Sequence, residues 1–318
     1  MTYQIQPEPV PKIDSTVPNS ARVWNYWLGG RDHYEIDRIA GYHYAVVFPE
    51  IVDIARADRL FLGRVVRFLA RDAGVRQFLD VGTGLPMEDN THDVAQRVAA
   101  ESRIVYVDND PLVIAYARAL LTSSPEGATD YVHADLRDPD TILREAQKTL
   151  DFSLPVGLTL MGILGHLSDY CEAQTVVKKL MNGLPSGSYL AINDSVGPSE
   201  RRERALRQYA ETGAAPYHSR TRDEFTGFFD GLELVEPGVV SAPSWRPEPD
   251  DPAVPADSLH LGAVGRKELF IRDAGRRPGR RAHHDCFRHR YRRREVPAAR
   301  AGEAAAGRSR FPGMGTRQ

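Results

Sequence analysis

Residues Gln77–Gly84 read QFLDVGTG, and Val105–Asp108 further along read VYVD. Each is a short apolar run of the kind that forms a buried strand, and each ends in polar or glycine residues. Gly82 and Gly84 carry no Cβ, so the backbone can turn sharply there and come close to a ligand. Asp108 ends the second run, where a carboxylate can accept both hydroxyls of a ribose. This order predicts a nucleoside bound across the ends of two neighbouring parallel strands.

The same alternation of apolar runs and helical segments continues to residue 264. The predicted strands are Gln77–Val81, Ile104–Val107, Tyr131–Ala134, Val156–Met161, Ser188–Asn193, Leu232–Val240 and Leu259–Val264. Helical segments between them favour right-handed parallel units. Only a proline-rich loop separates the last two strands, which favours an antiparallel pair at one edge. We therefore expect an α/β fold, a three-layer sandwich around a seven-stranded, mostly parallel sheet.

The N-terminal quarter of the chain differs from this pattern. Residues 1–18 are polar and proline-rich, and we expect them to be flexible. Residues 21–44 are rich in aromatic side chains, and Gly29-Gly30 predicts a turn between two short helices. Ile51–Ala70 has the apolar spacing of a long amphipathic helix. The expected organisation is a helical cap over residues 19–75, an α/β domain over 76–267 and a separate tail over 268–318.

Composition separates that tail from the remainder of the chain. Residues 268–318 hold 14 arginines and five acidic residues, a formal charge of +9, so the other 267 residues carry −11. The tail is poor in apolar residues, and we expect it to be disordered. No apolar run approaches the ~20 residues of a membrane span, and the N-terminus has no signal pattern, so we expect a cytoplasmic protein without membrane partners. Two cysteines make a disulfide framework implausible.

The residues around the glycine turn restrict which cofactor it can hold. A dinucleotide site needs a third glycine, but Met87 stands at that position and Pro86 obstructs an immediate helix. A phosphate-binding loop would need a following Gly-Lys-Ser/Thr, which this turn lacks. Asp80, just before the glycines, would repel a pyrophosphate but suits an amino group. A ligand with a cationic amino acid and a ribose fits both acids, and S-adenosylmethionine is such a ligand.

Three ordered motifs resemble those of class I S-adenosylmethionine-dependent methyltransferases. The first is DVGTG at Asp80–Gly84, the second VDND at Val107–Asp110, and the third HADLR at His133–Arg137. The resemblance implies that Asp108 holds the ribose and that Asp135 contacts the adenine amino group. The implied cofactor-binding residues are Asp80, Gly82, Thr83, Gly84, Asp108, Asn109, Asp135 and Leu136. An ordinary strand-to-helix turn explains the glycines less well, because acids recur at matching strand ends.

Longer segments are similar to one actinobacterial family of these methyltransferases, most of whose members are uncharacterised. They are ARVWNYWLGGRDHY at Ala21–Tyr34, FPEI at Phe48–Ile51, FLDVGTGLP at Phe78–Pro86 and YVDNDP at Tyr106–Pro111. The similarity covers residues 18–267 and excludes the tail. It implies the strand order 3-2-1-4-5-7-6 and identifies residues 76–267 as the methyltransferase domain.

Two further segments are candidates for the acceptor side of the site. We expect the aromatic N-terminal segment to fold over the cofactor, with Tyr26, Gly30 and Asp32 near its amino acid end, although such aromatics also suit a plain core. His166, after the strand Val156–Met161, is a candidate general base because its ordinary pKa lies near neutrality. A histidine that merely begins a helix is the alternative. Cys171 is interpreted as structural.

The predicted function is methyl transfer from S-adenosylmethionine to a small-molecule acceptor, without a metal. One alternative is a protein that binds the cofactor but only senses it. Another is a nucleic-acid methyltransferase anchored by the tail, which the −11 charge of the other residues disfavours. Two other interpretations of the tail remain. It could hold a weak metal site at His283, His284, Cys286 and His289, or it could be the product of a shifted reading frame. The sequence specifies neither the acceptor atom nor an oligomeric state.

Overall fold

The computed structural model describes residues 13–249, 251–252 and 260–268. The predictions for most of segment 1–18, for Leu259 and for the tail from residue 269 onward lie outside the described residues. The helices within the described ranges are α1 (Ser20–Trp27), α2 (Glu35–Val47), α3 (Ile51–Arg71), α4 (Thr91–Val98), α5 (Pro111–Leu120), α6 (Pro139–Ala146), α7 (Tyr170–Gly183), α8 (Glu200–Glu211) and α9 (Arg222–Gly227). None of these described helices is long and apolar enough to cross a membrane.

The strands form one mixed sheet. They are β1 (Gln77–Val81), β2 (Arg103–Asp108), β3 (Ala128–His133), β4 (Gly157–Met161), β5 (Tyr189–Ser195), β6 (Glu233–Leu234), β7 (Val240–Ser241) and β8 (His260–Arg266). Their order is β3-β2-β1-β4-β5-β8-β6, and β7 also pairs with β8. Strands β1 to β5 are parallel to their neighbours, and β8 is antiparallel to β5. The mostly parallel sheet and the expected order are confirmed, with β8 as the seventh predicted strand and with β6 and β7 together in place of the sixth predicted strand.

The predicted single strand Leu232–Val240 is wrong in detail. Two-residue strands β6 and β7 lie at its ends, and both pair with β8. Pro237 has no N–H to donate to a ladder, and Gly238 has a φ of 80°. The chain therefore turns away from β8 between the two short strands, and the ladder is interrupted.

Helices cover both faces of the sheet, because successive strand residues point to opposite sides. In β1, Leu79 packs into a cluster with residues of α6, α7 and α9, such as Ile142 and Leu180. Phe78, the residue before it, packs into a second cluster with α3 and α4, including Leu69 and Val94. Strands β1, β2, β4, β5 and β8 are buried along most of their length, which explains why they read as largely apolar runs.

The aromatic N-terminal segment forms α1 and α2, separated at Gly29-Gly30 as predicted. Its side chains join the start of α3 and part of α8 in a third cluster. A buried ion pair ties α1 to α2, since Arg22 Nε lies 2.9 Å from Asp37 Oδ2 and both side chains are almost fully buried. Asp37 also accepts from the backbone N–H of Asn19 and of Tyr34. The division into cap, methyltransferase domain and tail stays a prediction.

Candidate active site

A cavity of about 670 Å³ lies at the carboxyl ends of the parallel strands. Such an edge is where open α/β sheets bind ligands, and the volume lies within the range of small-molecule sites. The cavity wall includes the glycine turn after β1, the ends of β2 and β3, and the segment after β4. Residues from α1, α3 and α8 line it as well. The topology thus brings distant segments of the chain to one cavity.

The glycine turn has the backbone conformation that its sequence predicts. Gly82 and Gly84 have φ values of 77° and 67°, in the left-handed region that favours glycine. The N–H of Gly82 donates to the carbonyl oxygen of Val107 at 2.8 Å, which joins the turn to β2. A Cβ on Gly82 would lie 2.0 Å from Ile163 Cδ1, whereas one on Gly84 would meet nothing within 4 Å. Gly84 therefore leaves open space where a ligand can approach the backbone.

Asp108 is held by the backbone on both of its carboxylate oxygens. Oδ2 accepts from the N–H of Gly84 at 3.0 Å, and Oδ1 accepts from the N–H of Asp110 at 2.9 Å. Burial raises the pKa of Asp108 to about 6, although these backbone donors oppose the shift. Asp110 caps α5, its side chain accepting from the N–H of Leu112. Each oxygen of Asp108 keeps acceptor capacity for a ligand hydroxyl.

Asp80 lines the same cavity, and both oxygens of its carboxylate accept hydrogen bonds from neighbouring side chains. Its two oxygens accept from the hydroxyls of Thr91 at 2.6 Å and Thr159 at 2.8 Å. Burial raises the pKa of Asp80, while these two hydroxyls and the nearby guanidinium of Arg59 act in the opposite direction. The carboxylate is therefore fixed in position at the wall, and a cationic group beside it would stabilise its charged form.

The ends of β2 and β3 supply the other predicted cofactor residues. Asn109, Asp135 and Leu136 all line the cavity, as does Thr83 in the glycine turn. Asp135 Oδ1 accepts from the N–H of Arg137 at 2.7 Å, and its side chain is 45% exposed. Leu136 is buried. An exposed carboxylate beside an apolar surface is a suitable environment for the edge and face of a purine.

His166 lies in a 3-10 turn, Leu164–His166, that follows β4, and it lines the cavity. Its Nδ1 is 3.1 Å from the carbonyl oxygen of Pro216, so Nδ1 carries the proton and donates. Burial lowers the pKa of His166. Its ring packs edge-on against Tyr217, with centroids 5.1 Å apart. The hydrogen bond to Pro216 fixes the tautomer of His166 and leaves Nε2 as the proton-accepting nitrogen.

The structure brings α1 to the cavity, but not through the three residues predicted there. Trp24, Asn25 and Trp27 line it, whereas Tyr26, Gly30 and Asp32 are not among the described lining residues. The Tyr26 ring packs against His33 at 5.4 Å. The N–H of Asp32 donates to Asn25 Oδ1 at 3.0 Å.

Asn25 accounts for the glycine at position 30 of this turn. A Cβ on Gly30 would lie 2.4 Å from Asn25 Nδ2, so Gly30 permits the buried amide to approach the backbone. Asn25 Nδ2 also lies 3.1 Å from Met87 Sδ, next to the glycine turn of β1. Direct contact of Tyr26, Gly30 or Asp32 with the cofactor stays a prediction, and Asn25 is one cavity residue that the sequence did not single out.

Other cavity residues gave no signal in the sequence. Asp58 on α3 and His260 at the start of β8 form a buried pair, with His260 Nδ1 3.0 Å from Asp58 Oδ2. Tyr217 donates its hydroxyl hydrogen to Asp194 at the end of β5. Burial and the adjacent Asp194 carboxylate raise the pKa of Tyr217 well above its ordinary value. These partners are far apart in sequence, so no spacing rule could have paired them.

The chain is similar to known methyltransferases, as the cofactor motifs at this site predict. A sequence model of the S-adenosyl methyltransferase family matches residues 6–268. The chain is similar to the crystal structure of a DUF574 family protein from Streptomyces avermitilis, with 43% identity and a TM-score of 0.75, over 80% of this chain and 100% of that one. It is also similar to a candidate methyltransferase from Thermobifida fusca, with 37% identity and a TM-score of 0.74, over 83% of this chain and 100% of that one.

A search among curated proteins found none that matches. The family match extends over most of the chain, and both solved relatives come from actinobacteria. The motif-based prediction of the family, of its cofactor and of enzymatic activity is therefore confirmed. The chain belongs to the S-adenosyl methyltransferase family, and it is an S-adenosylmethionine-dependent methyltransferase.

Proposed function

We propose that the chain methylates a small-molecule acceptor bound in the same cavity as the cofactor. The observation that carries this proposal is the continuity of the cavity, whose wall runs from the glycine turn to His166 and on to Trp24 and Trp27. A protein that only senses S-adenosylmethionine needs no such extension beyond the cofactor. A cavity of about 670 Å³ suits a small molecule.

The residues at the strand ends fit the cofactor. Asp108 offers two oriented carboxylate oxygens to the ribose, and Gly84 leaves open space beside them. Asp80 is fixed at the wall as a counter-charge for the amino group. Asn109, Asp135 and Leu136 would surround the adenine. When bound, S-adenosylmethionine supplies an activated methyl group on its sulfonium.

The protein contributes position and proton acceptance. Holding two reactants in line is a large part of the rate that an enzyme can supply. His166 is placed to act as general base toward an acceptor hydroxyl or amine, because its Nδ1 is occupied by Pro216 and Nε2 is left as the acceptor atom. Its lowered pKa keeps the imidazole neutral at pH 7, the form that can take a proton.

The test has two stages. Calorimetry with S-adenosylhomocysteine measures cofactor affinity, and a library of small acceptors with radiolabelled cofactor then measures methyl transfer. Once an acceptor is found, His166→Ala should lower kcat about 10²- to 10⁴-fold with little change in cofactor affinity. His43→Ala, on the exposed face of α2, is the matched control and should retain full turnover.

Three results would contradict the proposal. Tight cofactor binding without turnover of any acceptor would support the sensor. Undiminished turnover by His166→Ala would remove the general base. Methylation of a nucleic acid in preference to every small molecule would support the other alternative.

A further inference from the structure

Beyond the glycine turn, one part of the cavity wall is aromatic. Five aromatic residues line the cavity here: Trp24 and Trp27 of α1, Tyr44 of α2, Phe48 directly after α2, and Tyr209 of α8. Their rings contact one another, with centroids 5.6 Å apart for Trp24 and Trp27 and 5.1 Å for Trp27 and Tyr44. Tyr44 continues the set to Phe48 at 6.3 Å and to Tyr209 at 6.1 Å. We call these five residues the aromatic wall.

The aromatic wall differs in composition from the core between the sheet and α6, α7 and α9. The cluster between the sheet and α6, α7 and α9 is built mostly from leucine, valine, isoleucine and alanine. A region that served only as core would be filled by its own side chains, whereas these five rings border a cavity. Trp24 also keeps part of its surface exposed, while Trp27 and Tyr44 behind it are buried. Their arrangement leaves an apolar, ring-lined space beside the site.

The adenine of the cofactor is not the occupant that this wall fits. Asp135 and Leu136 follow β3, which lies at one edge of the sheet, two strands from β1. The aromatic wall includes Tyr209 of α8, which follows β5 on the other side of β1. The glycine turn of β1 therefore lies between the two regions. A cofactor that places its adenine beside β3 leaves the aromatic wall to a second ligand.

The wall is continuous with the candidate base. The Tyr217 ring lies 5.1 Å from the ring of His166, and Tyr217 lines the same cavity as Tyr44. A ligand against Trp24 and Tyr44 can therefore extend toward His166 within one cavity. Aromatic rings bind other rings edge-on or offset, with a gain beyond the burial of apolar area.

We propose that the methyl acceptor is an aromatic compound whose ring contacts the aromatic wall and whose hydroxyl or amino group points toward His166. This inference rests on the proposed function, because it names the class of acceptor for that same site. It assigns Trp24 as a specificity-determining residue. Trp24 is the choice because its ring is partly exposed, and its replacement disturbs the fold less than that of a buried ring.

The test compares two ligands of similar size on the full chain saturated with S-adenosylhomocysteine. Calorimetry measures the affinity of 2-naphthol and of its saturated counterpart, decahydro-2-naphthol. A merely apolar cavity would bind the two compounds with similar affinity, because they share one carbon skeleton and are of similar hydrophobicity. The aromatic wall should instead bind 2-naphthol at least about threefold more tightly.

Variants then locate the binding. Trp24→Leu should weaken 2-naphthol about three- to tenfold, and Trp24→Phe should retain most of the affinity because it keeps a ring. Trp245→Phe is the matched control, since Trp245 is fully buried between Phe61 and Phe68 and is not among the described residues that line the cavity. It should bind 2-naphthol like the unaltered chain.

The outcomes separate this inference from the proposal beneath it. Intact S-adenosylhomocysteine binding with equal affinity for the two naphthols, or with an unchanged affinity in Trp24→Leu, overturns the aromatic acceptor alone. Failure to bind S-adenosylhomocysteine overturns the proposed function and this inference with it.

Discussion

At the scale of single residues, Asp108 is the side chain on which the cofactor site depends most. Replacing it with Asn removes the charge and sets an amide N–H₂ against a backbone donor, either Gly84 or Asp110. We expect S-adenosylhomocysteine affinity to fall about 10- to 100-fold, as for hydrogen bonds to charged groups. Calorimetry measures this, with Asp110→Asn as control, since Asn caps a helix as well as Asp does. An equal loss in both variants would contradict the prediction.

The raised pKa of Asp108 predicts a pH dependence. Burial brings this pKa to about 6 in the free chain, and ligand hydroxyls that donate to the carboxylate favour its charged form. Below pH 6 Asp108 is protonated in the free chain and must release this proton when the ligand binds. The affinity should therefore fall as the pH is lowered, by up to about tenfold per pH unit. Titrations with S-adenosylhomocysteine between pH 5 and pH 8 measure the slope. The slope should be absent in Asp108→Asn, and an unchanged slope there would assign the effect to another group.

The two glycines of the turn should differ in their tolerance of a side chain. Both have positive φ, which costs an alanine about 1–2 kcal/mol. Gly82→Ala also forces Ile163 to move, so we expect a further 1–3 kcal/mol of lost stability. Urea unfolding of both variants measures the difference. The double variant Gly82→Ala/Ile163→Ala should show favourable coupling between the two sites, and additive losses would refute the clash.

At the scale of secondary-structure elements, the buried pair Arg22–Asp37 holds α1 and α2 together. Arg22→Met leaves Asp37 buried without its counter-charge, which should lower the free energy of unfolding by about 3–5 kcal/mol. Arg38→Met is the matched control, because Arg38 pairs with Glu35 on the exposed face of α2 and surface pairs contribute only about 0–1 kcal/mol. Chemical unfolding measures both. Equal losses would mean that burial of the pair has no energetic consequence.

The elements also indicate which parts of the fold could be read in advance. The glycine turn and the strands around it were predictable because backbone conformation and burial on both faces leave direct marks in sequence. The strand predicted over Leu232–Val240 was not, because Pro237 and Gly238 interrupt a ladder that only pairing with β8 defines. Asn25 was missed since its significance comes from contact with Gly30 and Met87, one of them far along the chain.

At the scale of the whole molecule, the family match and the described strands end together. The match ends at residue 268 and β8 ends at Arg266, while Lys267 Nζ donates to the carbonyl oxygens of Met181 and Leu184. A chain truncated after Lys267 should have the melting temperature of the full chain. Its affinity for S-adenosylhomocysteine should lie within about twofold of that of the full chain. With the net charge of −11 that remains, it should bind DNA more weakly than the full chain. Retained DNA affinity after truncation would contradict this expectation.

The alternation of strands and helices along the chain, the glycine turn and the acids at Asp80, Asp108 and Asp135 could be read from the sequence alone, and they identify the cofactor and the family. Each of these signals is local, because a turn or a strand end is specified by a few consecutive residues. The acceptor side could not be read in this way. Tyr44, Tyr209 and Tyr217 meet at one cavity only after the sheet and its helices have packed. Contacts between residues so distant in sequence are determined by the fold, and the aromatic wall is therefore a property of the tertiary structure.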